Sequence, residues 1–248
     1  MITDTHAHLD FYSEKRLSEV IENAKKNNVK LIVTNSVNKK SIQKNFEISK
    51  KYPKIVKLAV GLYPEKELEK AHLKDFKEFV LKNRKKIVAL GEIGLDSHHT
   101  KENFDIQKEV FIEELKLAKK LNFPVIIHSR KAEREVLEIL EKFKSIKVIL
   151  HCFSGSFNLV KKGIGLGCYF SIPANIVRSE HFQKMAQVIP REKILTETDS
   201  PYLSPFKEKE NEPAFITESM KKISKIWKIP ETEVEKKIED NFRKVFGF

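Results

Sequence analysis

Cysteine is scarce in this sequence, and this excludes cysteine-based scaffolds. Cys152 and Cys168 lack the spacing of a zinc finger and provide no disulfide framework, which suits a reducing cytosol. Cys152 adjoins His151, but neighbouring strand residues point to opposite faces. We therefore expect its thiol to pack rather than to bind metal.

Long hydrophobic runs are missing too. The segment MITDTHAHLD lacks a basic stretch followed by an apolar run, and no apolar stretch approaches membrane-spanning length. We therefore expect a soluble, cytoplasmic protein with no membrane association. No obligate protein partner is indicated.

Several familiar catalytic motifs are also absent. The sequence has no Gly-x-Ser-x-Gly nucleophile elbow, no Walker A lysine loop and no His-Glu-x-x-His helix. The glycines of GIGLG at 163–167 lack the strand-to-helix context of a phosphate loop, and a helix C-terminus followed by a turn explains them better. Hydrolysis by a metal-activated water is the simplest chemistry that remains.

Length and charge set the next bounds. The chain has 248 residues, which suits one α/β barrel, so we predict a single hydrolase domain over residues 1–248. Its 47 Lys and Arg against 35 Asp and Glu give a net charge of +12, which favours encounters with polyanions such as nucleic acid. Solvated helices laced with ion pairs, in a protein from a high-temperature or AT-rich source, would give the same composition. Charge alone does not decide between the two.

Short β-branched segments alternate with longer charged segments of helical period, as in repeated βα units. Eight strands are predicted, at 2–6, 30–35, 55–62, 87–92, 124–128, 147–151, 168–172 and 193–197. Helices are predicted at 14–27, 39–51, 66–85, 105–121, 131–143, 156–164 and 181–189, with 213–227 and 231–246 after the last strand.

This alternation predicts an α/β fold, a single (β/α)8 TIM barrel with a C-terminal helix. A doubly wound open sheet would give similar local patterns. Metal-type side chains favour the barrel because they follow the first, fourth, fifth, sixth and eighth strands. Only closure brings the first and eighth strand ends close enough to share a metal.

A histidine pair ends the first strand. His6 and His8 are separated by one residue, so extended backbone projects both imidazoles to one side, where they can hold one cation. Asp4 has the same parity and could accept a hydrogen bond from a ligating imidazole. By themselves these residues could equally form a structural or surface group.

Glu92 follows an apolar run and lies in GEIGLD, where Gly91 and Gly94 leave space beside the backbone. A carboxylate there can bridge two divalent ions, or it can cap the following turn. Asp96 belongs to the next loop, where it could contact water, substrate or the far side of a metal ligand.

Two further histidines end consecutive strands. His128 and His151 occupy matching positions, which favours paired metal ligation over two unrelated core histidines. Small polar residues follow each of them, and Ser154 is predicted to contact substrate. Arg130 could hold a phosphate oxygen through its planar guanidinium, or form an ion pair at a helix start.

Asp199 is the last candidate ligand and lies just after the eighth strand. A carboxylate there can bind metal while accepting a proton from the attacking water, which makes Asp199 a catalytic candidate. It could instead cap the turn at Ser200 and Pro201, and Glu197 is an alternative carboxylate on the same side. Mixed histidine and carboxylate ligands suit Zn²⁺, Mn²⁺ or Co²⁺, and extra oxygen ligands admit Mg²⁺.

Together these motifs resemble those of the TatD-type metal-dependent deoxyribonucleases, a family of the amidohydrolase-like TIM-barrel superfamily. The resemblance runs nearly end to end, through TDTHAHLD, VGLYP, GEIGLD, HSR, HCFSG, ETDSPYL, NEPAFI and DNFRKVF. The combination and order of these motifs are specific, whereas any single one is not.

The resemblance implies two divalent metal ions per chain and a role for each candidate ligand. His6 and His8 would bind one ion, Glu92 would bridge both, His128 and His151 would complete the second site, and Asp199 would bind metal and act as general base. The implied reaction is hydrolysis of DNA phosphodiester bonds, directed to 3′ ends or single strands. Two ions about 3.5–4 Å apart would stabilise the attacking and leaving oxygens.

Three departures from the family pattern lie in predicted substrate loops. Tyr63 stands before Pro64 where relatives often have histidine, and Ser97, His98 and His99 replace an aromatic pair and an arginine. The usual Arg-Gly turn is absent from FKEKE at 206–210. Substrate contacts are predicted for Arg130, Tyr63, Asp96 and Ser154.

Two other hypotheses remain for the function. The altered loops allow the same two-metal barrel to hydrolyse a carboxylic ester, a lactone or an aminoacyl-tRNA ester instead. The basic charge also allows a non-catalytic nucleic-acid-binding protein with a structural metal. The open ligand set argues against the latter, because structural zinc prefers closed Cys/His coordination.

Overall fold

The computed structural model describes residues 1–98 and 101–247, with only the backbone of Lys101. Eight strands lie in this part of the chain: β1 Ile2–Ala7, β2 Val29–Thr34, β3 Val56–Val60, β4 Ile87–Gly94, β5 Val125–His128, β6 Val148–His151, β7 Tyr169–Pro173 and β8 Ile194–Glu197. The α-helices described with them are α1 Glu14–Lys26, α2 Lys39–Lys51, α3 His72–Asn83, α4 Phe104–Leu121, α5 Glu133–Leu140, α6 Phe157–Gly165, α7 Glu180–Val188, α8 Ile216–Trp227 and α9 Glu231–Phe246.

The strands form one parallel sheet in sequence order, from β1 to β8. Its two edges approach each other: the Thr196 hydroxyl donates to the Thr3 carbonyl at 3.2 Å, and Ala7 forms a parallel bridge with Ser200. The sheet is therefore a nearly closed barrel, which confirms the fold predicted from the sequence. Because all strands are parallel, the loops after β1 to β8 gather at one end of the barrel, where such folds place their active sites.

Most predicted boundaries agree with the structure within two residues, but helix α3 was predicted too long. The predicted segment 66–85 becomes a helix only from His72, because residues 62–71 form an irregular loop. The Asn103 side chain binds the carbonyls of Glu65 and Lys66 at 2.9 and 3.2 Å. Tertiary hydrogen bonds of this kind replace the helical ones and leave no trace in local periodicity.

Alternate residues of each strand pack into two separate apolar clusters. One cluster lies between the sheet and the surrounding helices and includes Ile32, Leu58 and Leu150. The other fills the barrel interior and contains Leu31, Val33, Ala59, Ala89, Ile126, Ile149 and Leu195. This alternation follows from the twofold side-chain period of a strand.

The C-terminal helix closes the end of the barrel opposite the loops. Phe242 and Val245 of α9 are buried and join the interior cluster, beside Met1, Val88 and Tyr169 at the strand starts. Burial of a phenylalanine side chain contributes roughly 1.5–3 kcal/mol. Because α9 fills this end, ligands approach the interior of the barrel from the carboxyl ends of its strands.

No helix in the described part of the chain combines the length and the apolar character needed to cross a membrane.

A buried glutamate stabilises the loop after β3. Glu114 of α4 is 1% exposed and accepts a hydrogen bond from the Leu62 backbone N–H at 2.8 Å. Its other carboxylate oxygen has no hydrogen-bond partner among the described residues. Burial raises the pKa of Glu114 well above its usual value, so the folded protein keeps this group protonated to a higher pH than the unfolded chain does.

We expect the wild-type protein to lose free energy of unfolding as pH rises, and we expect Glu114→Gln to remove this loss. The unfolded chain ionises Glu114 near its ordinary pKa whereas the folded chain does not, so its stabilising contribution is complete at low pH and falls as pH rises. Relative to the Gln variant, the wild type should lose up to about 1.4 kcal/mol per pH unit between the two pKa values. Urea unfolding of both proteins at pH 5 and pH 8 would measure this difference.

The half-buried neighbour Glu113 is a matched control. Hydrogen bonds from Lys116 and Lys77 lower the pKa of Glu113, so Glu113→Gln should give a pH trend of the opposite sign. A Glu114→Gln variant whose stability parallels that of the wild type at every pH would show that this carboxyl is ionised in the folded protein.

Candidate metal centre

The candidate ligands continue the rows of side chains that fill the barrel interior. His128 lies two residues after Ile126, and His151 lies two residues after Ile149. Residues two apart on a strand share a face, so both imidazoles point into the barrel mouth. The inward-facing positions of each of these strands are therefore apolar within the core and polar where the strand ends.

Four of the candidate side chains form a first group of donor atoms. The Nε2 atoms of His6 and His8 are 3.1 Å apart. The Oε2 atom of Glu92 lies 3.4 and 3.5 Å from these nitrogens, and the Oδ1 atom of Asp199 lies 3.5 and 3.4 Å from them. These atoms come from the ends of β1, β4 and β8, as the closed barrel requires.

Glu92 also takes part in a second group through its other oxygen. Its Oε1 atom lies 2.9 Å from Nδ1 of His128 and 3.4 Å from Nε2 of His151. The two oxygens of one buried carboxylate thus face two separate pairs of imidazoles. A bridging carboxylate between two cations has this arrangement.

The spacing of the first group fits a metal ion. Donors held about 2.0–2.1 Å from a tetrahedral zinc ion stand about 3.3 Å apart. The separations measured from the two imidazole nitrogens of this group lie between 3.1 and 3.5 Å. Both donor groups could therefore hold a divalent ion, as could the overlapping set of His6, His151 and Asp199.

Hydrogen bonds behind the imidazoles fix which nitrogen faces the centre. Nδ1 of His8 lies 3.3 Å from the Asn35 carbonyl, and Nδ1 of His151 lies 3.1 Å from Glu197. Donation of the Nδ1 proton to these acceptors leaves the Nε2 lone pair directed inward, as in known metal sites. Glu197 also accepts a hydrogen bond from the Ser171 hydroxyl, so it positions His151 rather than joining either donor group.

Asp96 plays the corresponding part for His128. Its Oδ2 atom lies 3.1 Å from His128 Nε2, while His128 Nδ1 faces Glu92. The Tyr63 hydroxyl donates to the same Oδ2 atom at 3.3 Å and lies 3.2 Å from His128 Nε2. The sequence left open whether Asp96 contacts water, substrate or the back of a metal ligand. Because Asp96 is fully buried behind His128, its position fits the last of these.

The carboxylates of the centre favour positive charge among the imidazoles: burial opposes it, but Glu197 and Glu92 raise the pKa of His151 to about 10. Burial lowers the pKa of His6 to about 4, so this imidazole is neutral at neutral pH. Burial opposes ionisation of Glu92, but neighbouring His6 and His151 hold its pKa well below the usual value. Burial also opposes ionisation of Asp199, but its hydrogen bond with His8 lowers the pKa of this carboxyl below the usual value. The Nδ1 atom of His6 is buried without a hydrogen-bond partner among the described residues.

Asp199 is held in place by the seam between the first and last strands. Its backbone N–H donates to the His6 carbonyl at 2.9 Å, and its φ of 55° is in the left-handed region, which aspartate tolerates better than most residues. Asp4 accepts hydrogen bonds from the Thr198 backbone and hydroxyl at 2.9 and 2.6 Å and from the His6 backbone N–H at 3.2 Å. The predicted bond from Asp4 to an imidazole was therefore wrong. Its carboxylate joins the two backbone segments that carry ligands.

The second glycine of GEIGLD is required by close backbone packing. Gly94 has a φ of 141°, and a Cβ atom there would lie 2.1 Å from the His128 carbonyl oxygen. This contact brings the end of β4 against the end of β5. Glu92 and His128, which come from those two ends, can thereby approach each other.

The remaining predicted substrate contacts lie at the rim of the centre. Arg130 follows β5 and is exposed. Burial raises the pKa of the Tyr63 phenol, and the positive charge of Arg130 is near enough to oppose this rise. Ser154 is exposed, and its hydroxyl donates to Glu133 of α5 at 2.9 Å. Their assignment to substrate stays a prediction.

The loop after Asp96 is described only in part. The His98 backbone N–H donates to Asp96 at 2.7 Å, and the Ser97 hydroxyl donates to the Lys131 carbonyl at 2.6 Å. His99 lies outside the described residues. Through the first of these bonds the loop supports the carboxylate behind His128.

The part played by the motif NEPAFI was not predicted from the sequence. The Asn211 side chain donates to the carbonyls of Thr198 and Tyr202 at 2.7 and 2.6 Å, and the Asn211 carbonyl accepts from the Tyr12 hydroxyl at 2.6 Å. These bonds hold the loop that carries Asp199. The motif was visible in the sequence, but its backbone partners were not.

Comparison with known proteins gives one consistent family. The model of the family described as TatD related DNase matches residues 3–247. The uncharacterized metal-dependent hydrolase YabD of Bacillus subtilis is 33% identical, over 99% of this chain and 99% of its own length. Human deoxyribonuclease TATDN3 is 35% identical, over 99% of this chain and 94% of its own length.

A solved structure agrees in fold. The crystal structure of YjjV, a TatD homologue from Escherichia coli, superposes with a TM-score of 0.92 over 100% of this chain and 98% of that one, at 23% sequence identity. The family match over almost the whole chain and the relatives above 30% identity confirm the resemblance seen in the sequence. The chain belongs to the TatD family of metal-dependent hydrolases.

Proposed function

We propose that this protein hydrolyses phosphodiester bonds of DNA, at single strands or 3′ ends, with two divalent metal ions at the barrel mouth. The observation that carries the proposal is the position of Glu92, whose two oxygens face two separate pairs of imidazoles. Two-metal centres suit phosphodiester hydrolysis because they serve both the attacking and the leaving oxygen.

The proposed ligands are those named above. His6 and His8 would hold one ion, His128 and His151 would hold the other, Glu92 would join both, and Asp199 would add a carboxylate ligand beside His6. Bound divalent ions supply Lewis acidity, which lowers the pKa of water and polarises the phosphate. Imidazole-rich donors favour Zn²⁺, Mn²⁺ or Co²⁺, while the carboxylates also admit Mg²⁺.

The chain's own groups supply the rest of the reaction. Asp199, with its lowered pKa, is ionised at neutral pH and accepts the proton of the attacking water. Arg130 lies exposed at the rim, where its guanidinium can hold a phosphate oxygen. Tyr63 presents its hydroxyl beside His128 and could donate to another phosphate oxygen in place of Asp96.

Two further observations support DNA as the substrate. A relative covering nearly the whole chain is named a deoxyribonuclease. The net charge of +12 favours a polyanion and predicts that binding weakens as salt rises. Other relatives are named uncharacterized metal-dependent hydrolases, without a stated substrate.

A time course on end-labelled DNA tests the proposal. Protein stripped of metal by a chelator and re-supplied with Mg²⁺, Mn²⁺, Zn²⁺ or Co²⁺ should cut single-stranded DNA, and a shortening ladder of products would give the direction. Duplex DNA of the same sequence should be cut more slowly. Failure of the well-folded, metal-loaded protein to cut any DNA would overturn the proposal.

Hydrolysis of an ester is the second candidate, and Tyr63 favours it. A phenol bonded to Asp96 and His128 stands where relatives often place an imidazole, so the substrate contact at this point differs. A panel of carboxylic esters, lactones and aminoacyl-tRNA, assayed with the same metal-loaded protein, distinguishes the two. Turnover of one of these well above that of DNA would favour the ester.

A further inference from the structure

The loops beside the metal centre expose aromatic side chains. Among the described residues the large exposed apolar side chains are Phe11, Leu81, Val188, Tyr202 and Phe206. The three aromatic ones follow β1 or β8, at the mouth of the barrel. Leu81 and Val188 are aliphatic and lie near the C-terminal ends of α3 and α7, at the opposite end. Among the described residues, the most exposed aromatic rings therefore lie at the end of the barrel that carries the candidate site.

Two of these rings, Phe11 and Tyr202, lie next to the proposed metal ligand His8. Phe11 stacks on the His8 imidazole, with ring centroids 4.9 Å apart and an interplanar angle of 11°. Tyr202 meets Phe11 at 79°, with centroids 6.0 Å apart. The two rings thus form an open corner beside His8, with Phe11 43% and Tyr202 56% exposed. We call this pair the aromatic corner.

The backbone beneath the aromatic corner is rigidly held. Tyr12, next to Phe11, is buried and donates to the Asn211 carbonyl, and the Asn211 side chain donates to the Tyr202 carbonyl. One buried asparagine therefore connects both halves of the corner. Ordering two exposed aromatic rings in advance lowers the entropy cost of binding a flat ligand between them.

Basic side chains border the same corner. Lys44 is exposed and donates to the carbonyls of Asp10 and Tyr12, on either side of Phe11. Arg178 is exposed and donates to the Ser204 carbonyl at 2.7 Å, two residues after Tyr202. Exposed aromatic rings flanked by cations are the combination by which proteins bind single-stranded nucleic acid: bases stack on the rings and phosphates approach the cations.

We infer that the aromatic corner is a binding site for one unpaired nucleobase of single-stranded DNA, next to the phosphate that is cut. This inference rests on the proposed function and deepens it. A base inside a duplex has both faces covered by its neighbours, and a base between two rings of the protein must leave that stack, so an unpaired or frayed base is the one that can enter the corner. The corner would therefore select single strands, and would do so without preference for base identity.

The test compares Phe11→Leu and Tyr202→Leu with wild type. Binding of a short phosphorothioate-linked single strand with 2-aminopurine near its end is measured on metal-loaded protein by anisotropy and by quenching of the 2-aminopurine fluorescence. Each variant should bind the strand about five- to a hundredfold more weakly and should lose quenching. Replacing the base with an abasic site should weaken wild type equally and leave the variants almost unchanged.

Controls separate stacking from damage to the fold. Tyr169→Leu removes a partly exposed ring at the other end of the barrel and should bind the strand as wild type does. Metal content should be equal in all variants. Wild type that cuts DNA, but binds the abasic strand as tightly as the base-bearing one, would overturn the inference alone. Wild type that cuts no DNA would overturn the proposed function.

Discussion

Asp199→Asn is expected to reduce metal-dependent DNA hydrolysis by about 10²–10⁴-fold while the barrel stays folded. The amide keeps the shape of the side chain and one oxygen, but it can no longer accept a proton from water at neutral pH. The lowered pKa of Asp199 means that the wild-type group is ionised and ready to do so. Single-turnover cleavage of end-labelled single-stranded DNA, with each protein at saturating metal, would measure the loss.

The pH dependence of the residual rate adds a second readout for this substitution. The wild-type rate should fall as acid protonates Asp199, whereas the Asn variant should lack that part of the acid limb. Asp75→Asn is a matched control, because Asp75 is an exposed residue of α3 whose carboxylate pairs with Lys39 of α2. This variant should cut DNA at the wild-type rate. An Asp199→Asn protein that cuts DNA as fast as wild type would exclude this carboxylate as the base.

The fold was predictable because its determinants are local and periodic. Strand segments such as 148–151 are short, β-branched and bounded by helical segments, and their repetition fixes the number of βα units. The loop at 62–71 was not predictable. Its conformation depends on Asn103, which is distant in sequence and becomes a neighbour only after β3 and α4 have packed.

The grouping of candidate ligands was predictable for a different reason. Each of them lies at or near the end of a strand, and closure of the barrel gathers all strand ends, so the sequence indicated that they lie close together but gave no distances. The structure brings His6, His8, Glu92, His128, His151 and Asp199 together as that argument requires. Their roles as ligands stay a prediction that metal analysis can test.

The groups behind the ligands could not be read from the sequence in the same way. The acceptor for His8 is the Asn35 carbonyl, and main-chain atoms carry no sequence signal. Asp96 and Glu197 look alike as loop or strand-end carboxylates, and only the structure places each against a particular imidazole. Exposed aromatic rings such as Phe11 and Tyr202 likewise look like ordinary apolar residues until the fold sets them beside His8.

Glu92→Gln should have an even larger effect, because it removes the group shared by both proposed ion sites. Glutamine offers one oxygen and one N–H₂ donor, so it cannot face two cations with two oxygens. We expect metal analysis to find at most one ion per chain and DNA cleavage to fall below the level of Asp199→Asn. At a free ion concentration a hundredfold above Kd, each bound ion should raise the free energy of unfolding of the wild-type protein by about 2.7 kcal/mol.

The stability measurement gives this prediction a test that does not depend on activity. If the substitution raises Kd a hundredfold, the gain at the same ion concentration falls to about 0.4 kcal/mol. Glu114→Gln is the matched control, since it replaces another buried glutamate of the same barrel that belongs to none of the donor groups, and it should keep both ions and the full gain. Two ions and an undiminished gain in the Glu92→Gln protein would mean that Glu92 does not bridge, and the two-ion centre would have to be built on other oxygens.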